Sequence, residues 1–439
     1  MNTISRGLAD IKAQLTVPVS LLQDIATRFQ MTMCDALSGK PSSLKMLPSF
    51  MGIPSGQEQG TVIAVDFGGT NVRILLIALN GAGQAKIIAK KIFPLKDKGG
   101  KYDYMAASVS GMQLFDFIAG NITEIAPKTG DVYPMGHTFS FPCRQYGVNQ
   151  AELINWTKEF KTTGVEGQNI GELMQSALDR QGLGHIQAQV IINDTTGTLL
   201  TAAYTDNTTD IGAICGTGHN SCYLEPNHPL TQQPMIVNME SGNFDQIPQT
   251  SYDACLDANS EKLGQQRLEK MVSGRYLGEI VRLIVSGLVK DGYLTAAAEN
   301  IQIPYSLTAE DISAMLADHT QDLEAVADIA ASRWDMSSLV VHERTVLKTI
   351  AGLVVTRSAR LVAATWAGVL YKIDPDLSRH HTIAVDGSLY EKMPGYSEDL
   401  AQAMKDMLGE AANQVTIRLS KDGSGIGAAI AAATVYGSS

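Results

Sequence analysis

The stretch TVIAVDFGGTNVRILLIAL, residues 61–79, constrains this chain more than any other. Residues 62–65 and 72–77 are nearly continuous in β-branched and aliphatic side chains, as in strands buried within a sheet. Between them, Asp66-Phe67-Gly68-Gly69-Thr70-Asn71 reads as a turn. Two adjacent glycines lack the Cβ atoms that would keep an anion at a distance, and they can adopt φ > 0, so backbone N–H groups converge on it. Asp66 opens the turn, where a carboxylate can hold a hydrated Mg²⁺, while Thr70, Asn71 and Arg73 add hydroxyl, amide and guanidinium donors. The pattern predicts a phosphate-binding β-hairpin rather than a phosphate loop that feeds a helix. On these residues alone, a plain hairpin with a Gly-Gly turn is the alternative.

A chain of 439 residues exceeds one ordinary core, so two domains are expected. Its net charge is −11 and it has no basic run interleaved with aromatics, which predicts no nucleic-acid partner. An acidic protein that binds a polyanion must gather its positive groups, backbone donors and a metal in one place. The five cysteines (Cys34, Cys143, Cys215, Cys222, Cys255) are odd in number and show no CxxC spacing. That is the pattern of reduced thiols in a cytoplasmic protein, not of zinc ligands or a disulfide frame. No signal peptide and no apolar run near ~18 residues is read, so no membrane span is expected.

In order along the chain, residues 1–40 carry helical spacing (Leu21, Leu22, Ile25, Phe29, Met33), followed by a Pro/Ser/Gly-rich connector. A third strand is read over 81–95 and a helical pattern over 105–122; residues 137–169 read as a polar loop before a helix at 170–178. A strand at 190–193 ends in Asp194-Thr195-Thr196-Gly197-Thr198, and a short helical run continues to Tyr204. A second hairpin follows, with strands at 211–215 and 222–224 around Gly216-Thr217-Gly218. A third such unit is read at 381–390, where a strand ends in Asp386-Gly387-Ser388. Three strand-to-turn units predict an internal duplication, two αβ halves closing on one nucleotide. Residues 265–288 read as helix broken at Ser273-Gly274, Thr308 with Asp311 as a helix N-cap, and 341–369 as an Ala-rich core helix or pair of helices.

An ordered series of segments then carries a family resemblance: LKMLPSF, DFGGTNVR, FSFPC, INWTKEF, INDTTGT, GTGHNSCYLE, NMESGNF, QRLEKMVSGRYLGEIVR, VDGSLY and SKDGSGIGAA. The chain resembles the hexokinases, within the actin/Hsp70-like ATPase superfamily. The resemblance implies an α/β, two-domain actin-like ATPase (ribonuclease H-like) fold, with the active-site cleft between a small domain (61–193 plus 425–439) and a large one (1–60 plus 194–424). It implies transfer of the γ-phosphoryl of Mg-ATP to the 6-hydroxyl of glucose or a related hexose, by a monomer or homodimer. The length admits one kinase unit.

By that resemblance Asp194 is the general base, since a sugar hydroxyl is a weak acid that must be oriented and deprotonated. Lys158 offsets charge near the γ-phosphoryl; by itself it reads as a solvated lysine. Ser140, Phe141, Pro142, Thr157, Lys158, Asn193, Asp194, Asn220, Glu240 and Glu279 form the sugar set, in which every sugar hydroxyl meets a donor and an acceptor. Taken singly, Glu240 caps a loop and Glu279 sits on an amphipathic helix. Gly68, Gly69, Thr70, Asn71 and Arg73 clasp the phosphates from one side and Gly216, Thr217 and Gly218 from the other, with Asp66 holding Mg²⁺ through water. Gly387, Ser388, Gly423 and Ser424 match adenosine-side positions. Ile426 stands where the family usually has Lys or Arg, which removes a charged contact. A non-catalytic sugar sensor on the same scaffold is the rival reading, and an actin- or chaperone-type ATPase has no use for the SFP, WTK and ND segments.

Overall fold

The structure, a computed structural model, describes residues 3–128, 131–157, 159–294 and 299–437. Its strands are β1 (Leu47–Pro48), β2 (Gln59–Phe67), β3 (Asn71–Asn80), β4 (Ala85–Pro94), β5 (Tyr133–Phe139), β6 (Cys143–Gly147), β7 (Gln150–Leu153), β8 (Ile186–Ile192), β9 (Thr209–Cys215), β10 (His219–Glu225), β11 (Met235–Asn238), β12 (His381–Asp386) and β13 (Val415–Leu419). They form a five-stranded sheet in the order β4-β3-β2-β5-β8, a six-stranded sheet in the order β1-β11-β10-β9-β12-β13, and the hairpin β6-β7.

The two sheets repeat one topology. In each, an antiparallel meander (β2-β3-β4; β9-β10-β11) is extended from its first strand by two parallel strands (β5, β8; β12, β13). The predicted duplication is therefore present, and the fold is the two-domain actin-like ATPase arrangement. One unit differs from the expectation. The segment at 381–390 is no third hairpin: β12 is the fourth strand of its sheet, the counterpart of β5, and it feeds the short helix Ser388–Lys392.

The strands around the phosphate turn read as unbroken apolar runs because both of their faces are covered. Ile63, Val65 and Phe67 pack against Leu114, Phe115 and Ile118 on one side. Val62, Ala64, Leu75 and Ile77 face a second core built from the helices Asp194–Ala203 and Gly423–Gly437 together with Cys222 and Ile236 of the other sheet. Those two helices cross with their backbones nearly touching. A Cβ on Gly427 would lie 2.1 Å from the Gly197 carbonyl oxygen, so only glycine fits there.

Residues 143–153, expected as loop, form the β6-β7 hairpin. The segment 341–369 belongs to one helix, Val341–Ile373. An 18-residue window of it, with mean hydropathy 1.3, suffices for a membrane span, against the expectation that no such run exists, but 83% of that window is buried in the fold. The second helix, Val19–Leu37, packs its Leu22, Ile25, Phe29 and Met33 into the same core, as their spacing predicts.

Two buried histidines make the fold acid-sensitive. Burial lowers His137, on β5, to about 3, and neither of its ring nitrogens has a hydrogen-bond partner. Burial likewise lowers His219 to about 4. An unfolded histidine titrates near pH ~6.5, so between that pH and the folded values the unfolded chain binds more protons. Stability is fully present above pH ~6.5 and is lost as pH falls below it, by roughly 2 kcal/mol per histidine at pH 5. The urea midpoint should drop between pH 7 and pH 5, and the drop should shrink in His137→Phe; an unchanged pH response in that variant would count against the buried neutral ring.

Candidate active site

The expected β2-β3 hairpin forms, and Gly68 is required there by packing: a Cβ would sit 2.8 Å from that of Ser140, whose N–H donates to the Phe67 carbonyl at 3.1 Å. Gly69 faces open space, and the side chains of Thr70 and Asn71 are exposed beside it. The antiparallel register makes Asp66 and Arg73 cross-strand partners. Arg73 is accordingly not a free phosphate donor. Its guanidinium bonds Asp66, Asp422 and Ser424, so it ties β3 to the start of the Gly423–Gly437 helix. Burial disfavours its charge, but the carboxylates of Asp66, Asp422 and Asp386 outweigh that and raise its pKa. On Asp66 the donors from Arg73 and from Ser424 all converge on Oδ2, the Ser424 hydroxyl at 2.8 Å.

The β9-β10 turn packs against the start of the Ser388–Lys392 helix. Gly387, with φ 123°, would place a Cβ 2.4 Å from the Cys215 carbonyl oxygen, and Gly216 faces the Gly387 backbone. The N–H groups of Gly274 and Arg275 donate to the carbonyls of Gly216 (2.9 Å) and Thr217 (3.1 Å), which stitches the next helix to this turn. A cavity of about 680 Å³ opens here, lined among others by Gly216, Thr217, Arg275, Ser388 and Lys392. Gly423 and Ser424 do not line it. Gly423 donates its N–H to Asp386 at 3.2 Å, Ser424 bonds Asp66, and their carbonyls accept from Thr201 and Thr138, both at 2.7 Å. Ile426 lines a separate groove with Lys86, Thr201, Tyr204 and Ile430.

Around the second cavity, Asn193 caps the helix Asp194–Ala203: its Oδ1 accepts the Thr195 N–H at 2.9 Å and hydroxyl at 2.8 Å. Asp194 is thus the first residue of a helix, not the last of a strand. Its carboxylate accepts the Thr195 N–H at 2.8 Å, at the helix end whose dipole favours negative charge. The cavity wall joins Asn193 to Phe141, Asn238 and Glu240. Asn220 donates to Asn238 at 2.9 Å and to Glu240 at 3.4 Å. Burial raises the Glu240 pKa; the Asn238 hydrogen bond opposes this, and the field of Asp194 adds to it, so the two acids share one neighbourhood. Cys143 also lines this cavity, and burial, reinforced by Glu240, pushes its thiol up to about 12.

The remaining predicted residues divide. Ser140 stands by the hairpin, and the Pro142 carbonyl accepts from Ile154 at 2.9 Å. Phe141 is packed among Phe67, Trp156 and Phe160 at ring distances of 5.3, 4.8 and 5.0 Å, so it supports the loop more than it offers a free face. Thr157 is half-buried in the loop held by Trp156, and Lys158 lies outside the described residues. Glu279 is not brought to the sugar set. Its carboxylate is buried against Arg282, at 2.8 Å from Nε, and accepts the Tyr305 N–H at 2.6 Å. The acid from this region that lies beside the Gly216-Thr217-Gly218 turn and Gly242, two residues after Glu240, is Glu269, which was not among the expected site residues. A Cβ on Gly242 would lie 2.9 Å from its Oε2 and one on Gly218 3.6 Å from its Oε1. The available signal was QRLEK, an acid directly after a loop and before the Ser273-Gly274 break.

Two family models described as hexokinase match residues 7–204 and 210–434. The chain is 33% identical over 454 residues to hexokinase-1 of Schizosaccharomyces pombe, covering 98% of this chain and 91% of that one. It is 36% identical over 461 residues to the chloroplastic hexokinase-2 of Nicotiana tabacum, covering 97% and 89%. Among solved structures, the hexokinase from Schistosoma mansoni complexed with glucose superposes with a TM-score of 0.84 at 31% identity, covering 98% of both chains.

Proposed function

The chain belongs to the hexokinase family and is a sugar phosphotransferase, and we propose that it transfers the γ-phosphoryl of Mg-ATP to the 6-hydroxyl of glucose or a related hexose. One observation carries the reading. Asp194 stands at a helix N-terminus beside the polar wall of Asn193, Asn238 and Glu240. Asp66 and Asp386, at the ends of β2 and β12, are linked through Arg73, Ser424 and Gly423, and Gly387 after Asp386 lies against Gly216. The carboxylate of Asp194 accepts the proton as the sugar oxygen bonds to phosphorus and ADP leaves, at a helix end whose dipole favours negative charge. Backbone N–H groups of the two turns hold the phosphates, the donor type that an acidic chain can place there without net positive charge. Asn193, Asn220 and Glu240 bind sugar hydroxyls, with Glu269 rather than Glu279 as the further acid.

Oxygen ligands near the phosphate turn suit Mg²⁺. Asp66 keeps Oδ1 apart from the donors gathered on Oδ2, and Asp386 is the next carboxylate. No group of three or more metal-ligating side chains exists among the described residues, which fits an ion held through water and substrate phosphates. When bound, the ion neutralises charge on the transferring phosphates. The small lobe is taken as 61–193 with 425–439, closing on the remainder to exclude water.

A coupled assay for sugar 6-phosphate tests this, with glucose, mannose, fructose and N-acetylglucosamine each offered ATP or ADP. Glucose 6-phosphate from glucose and ATP is the expected product. Sugar binding with no product from any pair would instead mark a sensor.

A further inference from the structure

We propose that Asn238 is a positioning residue for hexose binding, holding Glu240 and Asn220 in the orientation that receives the sugar. The inference rests on the sugar site proposed above and adds a residue that contributes through those two.

Asn238 closes β11 and is 7% exposed. Its amide is used in both directions. Nδ2 donates to Glu240 Oε1 at 2.8 Å, while Oδ1 accepts from Asn220 Nδ2 at 2.9 Å and from the Glu240 backbone N–H at 3.2 Å. The carboxylate and the N–H of Glu240 can both be met only with the amide oriented this way, so the network determines the rotamer. The bond to the N–H two residues on closes a local turn. Glu240 there has φ 52° and ψ 49°, a left-handed conformation uncommon for a residue with a side chain. Asn220 is fixed from its other end, its Oδ1 accepting from Ser221 N at 2.7 Å and from Ser241 N at 3.2 Å.

A role also emerges for LKMLPSF, a segment that marks the resemblance without a function of its own. Leu47 of β1 pairs with Asn238 across the sheet edge, and the Lys45 N–H donates to the Met239 carbonyl at 3.0 Å. The segment thus backs the strand end from which Asn238 projects. The groups facing Glu240 are the Asp194 carboxylate, the Lys45 ammonium, the two asparagine amides and the Cys143 thiol. Without the Asn238 donor, burial and Asp194 would drive Glu240 further toward protonation.

Two variants test this. Asn238→Leu removes donor and acceptor at similar volume, and Asn238→Asp keeps the acceptor but sets a like charge against Glu240. Glucose affinity by titration calorimetry and KM for glucose should weaken by roughly 10-fold or more in both, the effect of one lost hydrogen bond to a charged group. KM for ATP should change less than about twofold, and the acid limb of kcat/KM for glucose should move to higher pH in Asn238→Leu. Glucose affinity within about twofold of wild type in Asn238→Asp overturns the proposal. So does equal weakening of glucose and ATP, which would mean a general structural role. A wild-type protein that binds no hexose overturns the underlying site as well, and this distinguishes the two failures.

Discussion

Asp194→Ala is expected to lower kcat by roughly 10²–10⁴-fold, the range for losing a positioned general base, with glucose affinity nearly intact. Asp194 is the first residue of the helix Asp194–Ala203, and its carboxylate accepts the Thr195 N–H. Losing the dipole interaction costs about 1 kcal/mol, too little to account for the rate. The Asn193 cap remains, because its Oδ1 bonds Thr195 independently of Asp194. Glu240 should bind sugar at least as well, since the field of Asp194 adds to the rise in its pKa. Steady-state kinetics and glucose calorimetry on the same preparation separate chemistry from binding. Turnover near the wild-type rate would remove Asp194 from the role of base.

The second large effect divides two glutamates ten positions apart on the sequence. Glu279→Gln should destabilise the fold by about 3–5 kcal/mol, because it leaves Arg282 charged and unmatched in the interior. Both partners are buried, at 7% and 6% side-chain exposure, so solvent cannot replace the lost charge. The folded fraction should keep its glucose KM. Glu269→Gln should raise glucose KM by roughly 10-fold or more and lower the urea midpoint less than Glu279→Gln does. Equilibrium denaturation and glucose kinetics on both proteins are sufficient. A raised glucose KM with normal stability in Glu279→Gln would restore Glu279 to the sugar set.

Those two acids show where local sequence stops being informative. The phosphate hairpin, the break at Ser273-Gly274, the Thr308–Asp311 cap and the Asn193-Asp194 turn are each written within a few residues. Glycine conformations, capping side chains and hydrophobic period act over that distance, so these elements and the family resemblance were legible in the chain itself. Even the doubled architecture was visible as recurring strand-and-turn units, although the unit at 381–390 proved to be a parallel strand.

What the tertiary structure alone decided is which polar groups are consumed by other residues. Arg73 resembles a phosphate donor until Asp422, 349 residues away, closes on it together with Asp66. Gly423 and Ser424 resemble adenosine contacts until helix crossing sets them against Asp386 and Asp66. Asn238 attracts no notice beside Glu240 until β10 brings Asn220 within bonding distance of it. A side chain's type is local, but its partner is chosen by packing between segments distant in sequence, and a buried charge or amide takes whichever partner that packing supplies.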